Sequence, residues 1–353
     1  MKQFFTKNNQ LTALEAQYEA QKIAFAPIIF QVARTMRDLK ILQILSEYKQ
    51  GLSYEELAQK TKLSKYSVQV LCETALSANI ILIEEEKLFL TKIGFFLNSD
   101  KMTQANMNYN HHVNYLGLFY LDESIKNEKA EGLKVFGEWE TIYPALSSLP
   151  NKAKQSWFEF DHLYSDSGFP KAIEILNALK PHSLLDIGGN TGKFAMQFAK
   201  ENPQTHITIM DLPQQVKLAK QNIYENNISN ISTYEANILL EETIVPSGFD
   251  IIWMSQFLDC FKEEQIVNIL LKIKHSMDEN AQICIMEPFW DRQQNETAAF
   301  CVINTSPYFT AMANGYSKMF KYEDFEKLLK KANLEVIKII DNIGLCQTII
   351  QCK

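Results

Sequence analysis

The segment SLLDIGGNTGKFAMQFAK, residues 183–200, constrains the fold more than any other part of the chain. An apolar run leads to Asp186, a loop places glycine at 188, 189 and 192, and an amphipathic stretch follows. This reads as strand, glycine-rich turn, helix. Glycine permits positive φ and lets a ligand approach the backbone closely. The helix N-terminus that follows adds an electropositive pole. Asn190 stands where another glycine is expected, and asparagine is among the residues that best tolerate the left-handed region.

From residue 183 onward, expected strands and helices alternate. Strands are expected at 183–187, 206–212, 231–236, 249–256 and 281–287, and helices at 192–200, 214–224, 263–277 and 322–331. The chain closes with two strands, 334–340 and 347–351, joined by DNIGLC. Alternation of this kind implies an α/β domain with a doubly wound, mostly parallel sheet. The short closing connection adds a hairpin and one antiparallel strand. Asp211 follows HITIM at the end of the second strand. A carboxylate there accepts hydrogen bonds from both hydroxyls of an unphosphorylated ribose, as in S-adenosylmethionine (SAM) or NAD. The spacing D-x-G-G-N-T-G does not supply the dinucleotide fingerprint GxGxxG, so SAM is the expected ligand.

The first hundred residues follow a different pattern. Residues 26–48 carry apolar side chains at helical spacing, and Ser53 with Glu56 forms a capping box. Ser64 opens a helix with Val68, Leu71, Cys72, Ala75 and Leu76 on one face. IILIEEEKLFLT then reads as two short strands around an acidic turn. Three helices and a hairpin are a winged-helix pattern. The helix over residues 64–78 offers Lys65, Gln69 and Glu73 but no arginine, and the formal net charge is -7. Both features argue against nucleic acid as a partner. A folding or dimerisation module fits better. Apolar Phe4, Phe5, Leu11, Leu14, Ile23 and Phe25 point to a homodimer with two-fold symmetry. The expected division is a winged-helix-like dimerisation domain at 1–100, an aromatic-rich helical connector at 101–170 that contributes to a ligand pocket, and a SAM-binding domain at 171–353.

The opening MKQFFTKNNQ lacks the apolar core of a signal peptide. No stretch is long and apolar enough for a transmembrane helix. The six cysteines include no CxxC pair and no metal-like cluster with the six histidines. They read as reduced thiols of a cytoplasmic protein, with no metal.

LLDIGGNTGKF, IMDLPQQV, the strand-loop of residues 249–261 and ICIMEPFW occur in the order found in class I SAM-dependent methyltransferases. More narrowly, the chain resembles the small-molecule O-methyltransferases that include the caffeic acid and hydroxyindole enzymes, over nearly its whole length. That resemblance implies a Rossmann-like, seven-stranded methyltransferase domain after a mainly α winged-helix dimerisation domain. It also implies methylation of a small aromatic or polyketide-like hydroxyl. The implied cofactor contacts are Asp186, Gly188, Gly189, Asn190, Gly192, Asp211, Leu212, Asn237, Ile238 and Ser255. Of these, Asp211 takes the ribose, and Asn237 and Ile238 take the adenine. Position 237 is usually aspartate in the family.

The chain departs from the family at the catalytic base. Where members place His-Asp-Trp, this sequence has Asp259, Cys260 and Phe261. The supporting glutamate after the fifth strand has a match in Glu287, and a second one falls on Met319. Asp259 is therefore a candidate base, or a residue that helps to cap the helix beginning near Lys262. His162, in the segment the family uses to cover the transferred methyl, is another candidate. Phe158, Tyr164, Trp253, Phe257, Phe289, Tyr308, Phe309 and Met312 are candidate pocket walls. With the histidine gone, N- or C-methylation, other SAM chemistry, or a SAM-sensing winged-helix regulator stand as alternatives.

Overall fold

The computed structural model describes residues 4–5 and 11–353. The described chain divides into two compact units, residues 11–110 and residues 4–5 with 111–353. Residues 1–3 and 6–10 of the N-terminal stretch lie outside the described residues.

The first unit is mainly helical: α1 (Ala13–Asp38), α2 (Ile41–Glu47), α3 (Tyr54–Thr61), α4 (Lys65–Ser77), the hairpin β1 (Ile81–Glu84) and β2 (Lys87–Leu90), then α5 (Lys92–Ser99) and α6 (Lys101–Tyr109). The expected capping box forms. Ser53 N–H donates to Glu56 Oε2 at 2.7 Å, and Glu56 N–H donates to Ser53 Oγ at 3.2 Å. Ser64 caps α4 by accepting the Ser67 N–H at 3.1 Å. Met36, Leu42, Leu57, Val68, Cys72 and Leu88 close one core. Leu14 and Ile23 on α1 remain 77% exposed.

The second unit continues with α7 (Leu121–Asn127), α8 (Asn151–Asp166), α9 (Phe169–Asn177), β3 (Ser183–Ile187), α10 (Lys193–Glu201), β4 (His206–Asp211), α11 (Pro213–Glu225), β5 (Ile231–Glu235), β6 (Ile251–Ser255), α12 (Glu263–Ser276), β7 (Gln282–Glu287), α13 (Glu296–Ile303), α14 (Ser306–Tyr308), α15 (Tyr322–Lys331), β8 (Val336–Ile343) and β9 (Gln347–Cys352). The seven strands form one sheet in the order β5-β4-β3-β6-β7-β9-β8. Its pairs are parallel except that β9 runs antiparallel to both β7 and β8.

Period-two alternation splits the strands between two cores. Leu185, Ile252, Met254 and Ile285 face α12 and α15. Leu184, Ile251, Trp253 and Cys284 face α9, α10 and α11. The chain winds outward from β3 through β4 to β5, then returns to the other side through β6 and β7. The strand order therefore reverses between β3 and β6. A crevice opens beyond the carboxyl ends of strands at such a reversal.

Candidate active site

A cleft of about 560 Å³, counted to its open mouth, lies at that reversal. The loop after β3 forms its floor with Gly188, Gly189, Asn190 and Thr191. Trp253, Ser255 and Gln256 come from β6 and its end. Asp161, His162, Ser165 and Asp166 come from α8, Phe169 from α9, and Lys193 and Phe194 from the first turn of α10.

The loop has the backbone its residue types predict. Gly188, Asn190 and Gly192 take φ of +74°, +51° and +80°. Gly188 N–H donates to the Met210 carbonyl at 2.9 Å, which ties the loop to β4. A β-carbon at 188 would stand 2.2 Å from the Phe257 ring, and one at 189 would stand 2.7 Å from Asp186 Oδ2. The glycines thus let a ring and a carboxylate crowd the loop.

Two carboxylates flank it. Asp211 accepts the Asn190 N–H at 2.8 Å on Oδ2 and the Leu212 N–H at 2.7 Å on Oδ1. Each oxygen keeps a lone pair for a hydroxyl. Burial raises its pKa against those two N–H groups. Asp186 is 2% exposed, and its Oδ2 has no hydrogen-bond partner among the described residues. Burial, then the charge of Asp211, push its pKa up to about 8. Trp253 is fully buried and stacks on Phe194 with ring centres 4.7 Å apart. Its Nε1 likewise has no partner among the described residues.

Lys193 ties α8 to α10. Its ammonium pairs with Asp166 and donates to His162 Nδ1 at 3.1 Å. A nitrogen that accepts from lysine carries no proton, so the ring proton sits on Nε2. Burial, then Lys193, hold the His162 pKa below its ordinary value.

Behind the cleft, the turn of residues 257–260 is held by Glu287. Its Oε1 accepts the Phe257 N–H at 2.9 Å and the Leu258 N–H at 2.8 Å. Burial, then Asp259, raise its pKa well above the ordinary range. Asp259 is 5% exposed and is absent from the cleft lining. It accepts the Cys260 thiol at 3.4 Å, and burial pushes its pKa up to about 6. Asp259 does not cap α12. The cap residue is Lys262, whose N–H donates to Gln265 Oε1 at 3.2 Å.

Other expected site residues are more dispersed. Asn237 Oδ1 accepts the Leu239 N–H at 3.0 Å, and Ile238 joins the core beside α12. Among the expected pocket walls, Trp253 lines the cleft. Phe257 covers Gly188 from the side and meets Phe261 edge-on at 4.9 Å. Phe289 does not reach the cleft, because it is fully buried against Tyr322 and Phe325. Tyr308 is buried and accepts the Trp157 Nε1–H at 2.7 Å. Phe309 and Met312 are buried next to it in sequence. Phe158 meets His162 edge-on at 5.8 Å, and Tyr164 leans on Phe160 at 4.7 Å. Asp161, Ser165, Asp166, Lys193 and Gln256 are cleft residues that pattern reading missed. The polar face of α8 was the available signal.

Residues 17–88 match the Dimerisation2-like domain, and residues 123–335 match the O-methyltransferase domain. The chain belongs to the O-methyltransferase domain family. It is a SAM-dependent methyltransferase, and SAM is its cofactor. Among its relatives, the L-tyrosine C(3)-methyltransferase of Streptomyces lavendulae is 22% identical over 328 residues, covering 91% of this chain and 88% of that one. The SAM-dependent methyltransferase SibL, solved in its apo form, shares the fold with a TM-score of 0.71 at 19% identity, over 94% of this chain and 97% of its own. The mitomycin 7-O-methyltransferase MmcR does so with a TM-score of 0.69 at 14% identity, over 96% and 98%.

The methyltransferase's cleft suits the cofactor's chemistry. SAM carries an ammonium, a positive sulfur and a ribose diol. The orphaned Asp186 oxygen offers an acceptor to a cation, and Asp211 keeps lone pairs for the diol.

Proposed function

We propose that this methyltransferase acts on an oxygen of a small aromatic or polyketide-like acceptor. The observation that carries the reading is the family match over residues 123–335, joined to a cleft whose floor is the glycine loop and whose wall is Trp253. When bound, the cofactor supplies an electrophilic methyl on a positive sulfur. The protein must hold the acceptor in line with it, exclude water and accept a proton. Asp211 would hold the ribose, Asn237 and Ile238 the adenine edge, and Asp186 the ammonium. Gly188, Gly189, Asn190, Gly192, Leu212 and Ser255 complete the proposed cofactor set. Glu287 positions the turn that carries Asp259. Of the two residues expected to take the acceptor's proton, His162 lines the cleft and Asp259 does not.

Carbon methylation is the second reading. The relative named for C(3) of tyrosine and the loss of the family histidine at 259–261 favour it. A phenol anion carries charge on the ring carbon beside its oxygen, so the same proton removal serves both outcomes. Incubation with SAM labelled with carbon-13 in its methyl, and with catechol, caffeic acid and tyrosine as probes, separates them by NMR. We expect a methyl ether. A methyl on ring carbon or nitrogen would overturn the oxygen reading.

The described residues include no helix long and apolar enough to cross a membrane. No disulfide joins the six cysteines. We place the enzyme in the cytoplasm. We read residues 1–100 as a winged-helix module that makes a homodimer, 101–170 as the connector that contributes to the pocket, and 171–353 as the catalytic domain.

A further inference from the structure

Burial normally forces a carboxylate into a hydrogen bond or an ion pair. Asp166, Asp211 and Glu287 all obey this. Asp161 does not. It faces the cleft from α8, one residue before His162, with no hydrogen bond and no ion pair to its carboxylate among the described residues. Its rivals are already engaged. The His162 Nδ1 lone pair is taken by Lys193, and Asp259 accepts the Cys260 thiol and does not line the cleft.

We propose that Asp161 is the group that takes the acceptor's proton, and that it is made anionic for this task by the positive sulfur of bound SAM. The proposal rests on the methyl-transfer reading above and deepens it. In the step, the Asp161 carboxylate accepts the proton of the acceptor O–H. The bond from methyl carbon to sulfur breaks as the bond from oxygen to that carbon forms. The breaking bond's electron pair stays on sulfur. One negative carboxylate and one positive sulfur become a neutral acid and a neutral thioether, so no charge is stranded in the cleft.

The charged groups around Asp161 explain why a cation would arm it. Asp166 on its own helix, Asp259 on the turn after β6 and Lys193 on α10 act on it, and His162 and Asp186 share the cleft lining with it. Burial, then Asp166, then Asp259 push its pKa up to about 7, and Lys193 pulls the other way. Near neutral pH it is poised between acid and anion. A positive charge beside it selects the anion, whereas a neutral sulfur does not.

Calorimetric titration with SAM and with S-adenosylhomocysteine tests this without any acceptor. Each is run near pH 7 in two buffers of different ionisation heat, which counts the protons released. The two ligands share their adenosine and amino-acid ends, so proton exchange that those ends cause at Asp186 or Asp211 cancels, and Asp161→Asn isolates what the sulfur charge does at Asp161. At its pKa a group is half protonated, so SAM should release about half a proton more than S-adenosylhomocysteine. The difference should vanish near pH 8.5 and in Asp161→Asn. Equal release by the two ligands in the wild type, or a difference retained in Asp161→Asn, would overturn the proposal. If circular dichroism shows Asp161→Asn misfolded, the wild-type pH series decides alone. Folded protein that binds neither ligand would instead sink the cofactor reading itself.

Discussion

At the residue scale, the site is a small set of acidic groups whose surroundings push them apart. Asp211 sits at the end of β4 with both oxygens already on backbone N–H groups. Asp211→Ala should weaken SAM binding by about 1.5–3 kcal/mol, the scale of hydrogen bonds to a charged group. Calorimetry on folded variant protein would check it, and unchanged affinity would remove Asp211 from the ribose site. Asp186 gives a prediction for the ligand-free protein. Unfolded, its carboxyl titrates near its ordinary value of roughly 3.9. Folded, it titrates at about 8. Between those values the native state holds a proton that the unfolded state has lost. Stability therefore falls as pH rises through that window and levels off above it. Melting curves from near pH 5 to pH 9 should show a shallower fall in Asp186→Asn than in wild type. Parallel slopes would refute this.

At the scale of elements, Glu287 and Ser53 do comparable structural work in different surroundings. Glu287 ends β7 and carries the turn of residues 257–260 on two N–H groups. Glu287→Ala leaves buried donors without an acceptor, a loss on the order of 1–3 kcal/mol. It should also displace the Phe257 ring that packs over Gly188. We expect lower urea resistance together with weaker SAM binding, and a stability loss with unchanged binding would uncouple the turn from the loop. Ser53 is partly exposed just before α3, far from this chemistry in sequence. Ser53→Ala should cost about 1 kcal/mol through the lost capping box and leave SAM affinity unchanged, as urea titration and calorimetry would show.

At the scale of the whole molecule, α1 presents Leu14 and Ile23 at 77% exposure, with Tyr18, Phe25 and Ile28 more than half exposed. Monomeric proteins rarely leave that much contiguous apolar surface in water. The Dimerisation2-like match begins at residue 17 and covers α1 from there on, Leu14 lying just before it. Light scattering at micromolar concentration should report a dimer, with an interface above roughly 2,000 Å² as in obligate homodimers. A monomer would show that something else covers α1.

The sequence by itself determined the mostly parallel sheet with its closing antiparallel strand, and the cofactor loop. Those signals are local: glycines at 188 and 192 dictate positive φ, and apolar runs of strand length alternate with helical periods. Asp186 and Asp211 were legible for the same reason, since each sits at a strand end that the pattern marks. The capping box at Ser53 needed only four residues to be read. What the tertiary structure decided is which side chains meet. α8 is amphipathic, but its sequence does not say which polar flank turns toward the loop after β3. Tertiary packing of α8 turned the flank with Asp161, His162, Ser165 and Asp166 to the cleft. The alignment of Asp259 with the family's base position marked a place in the chain, whereas burial kept it off the cleft lining. Phe289 looked like a pocket aromatic because aromatics serve cores and pockets alike. Only the packing of α15 against it made it core.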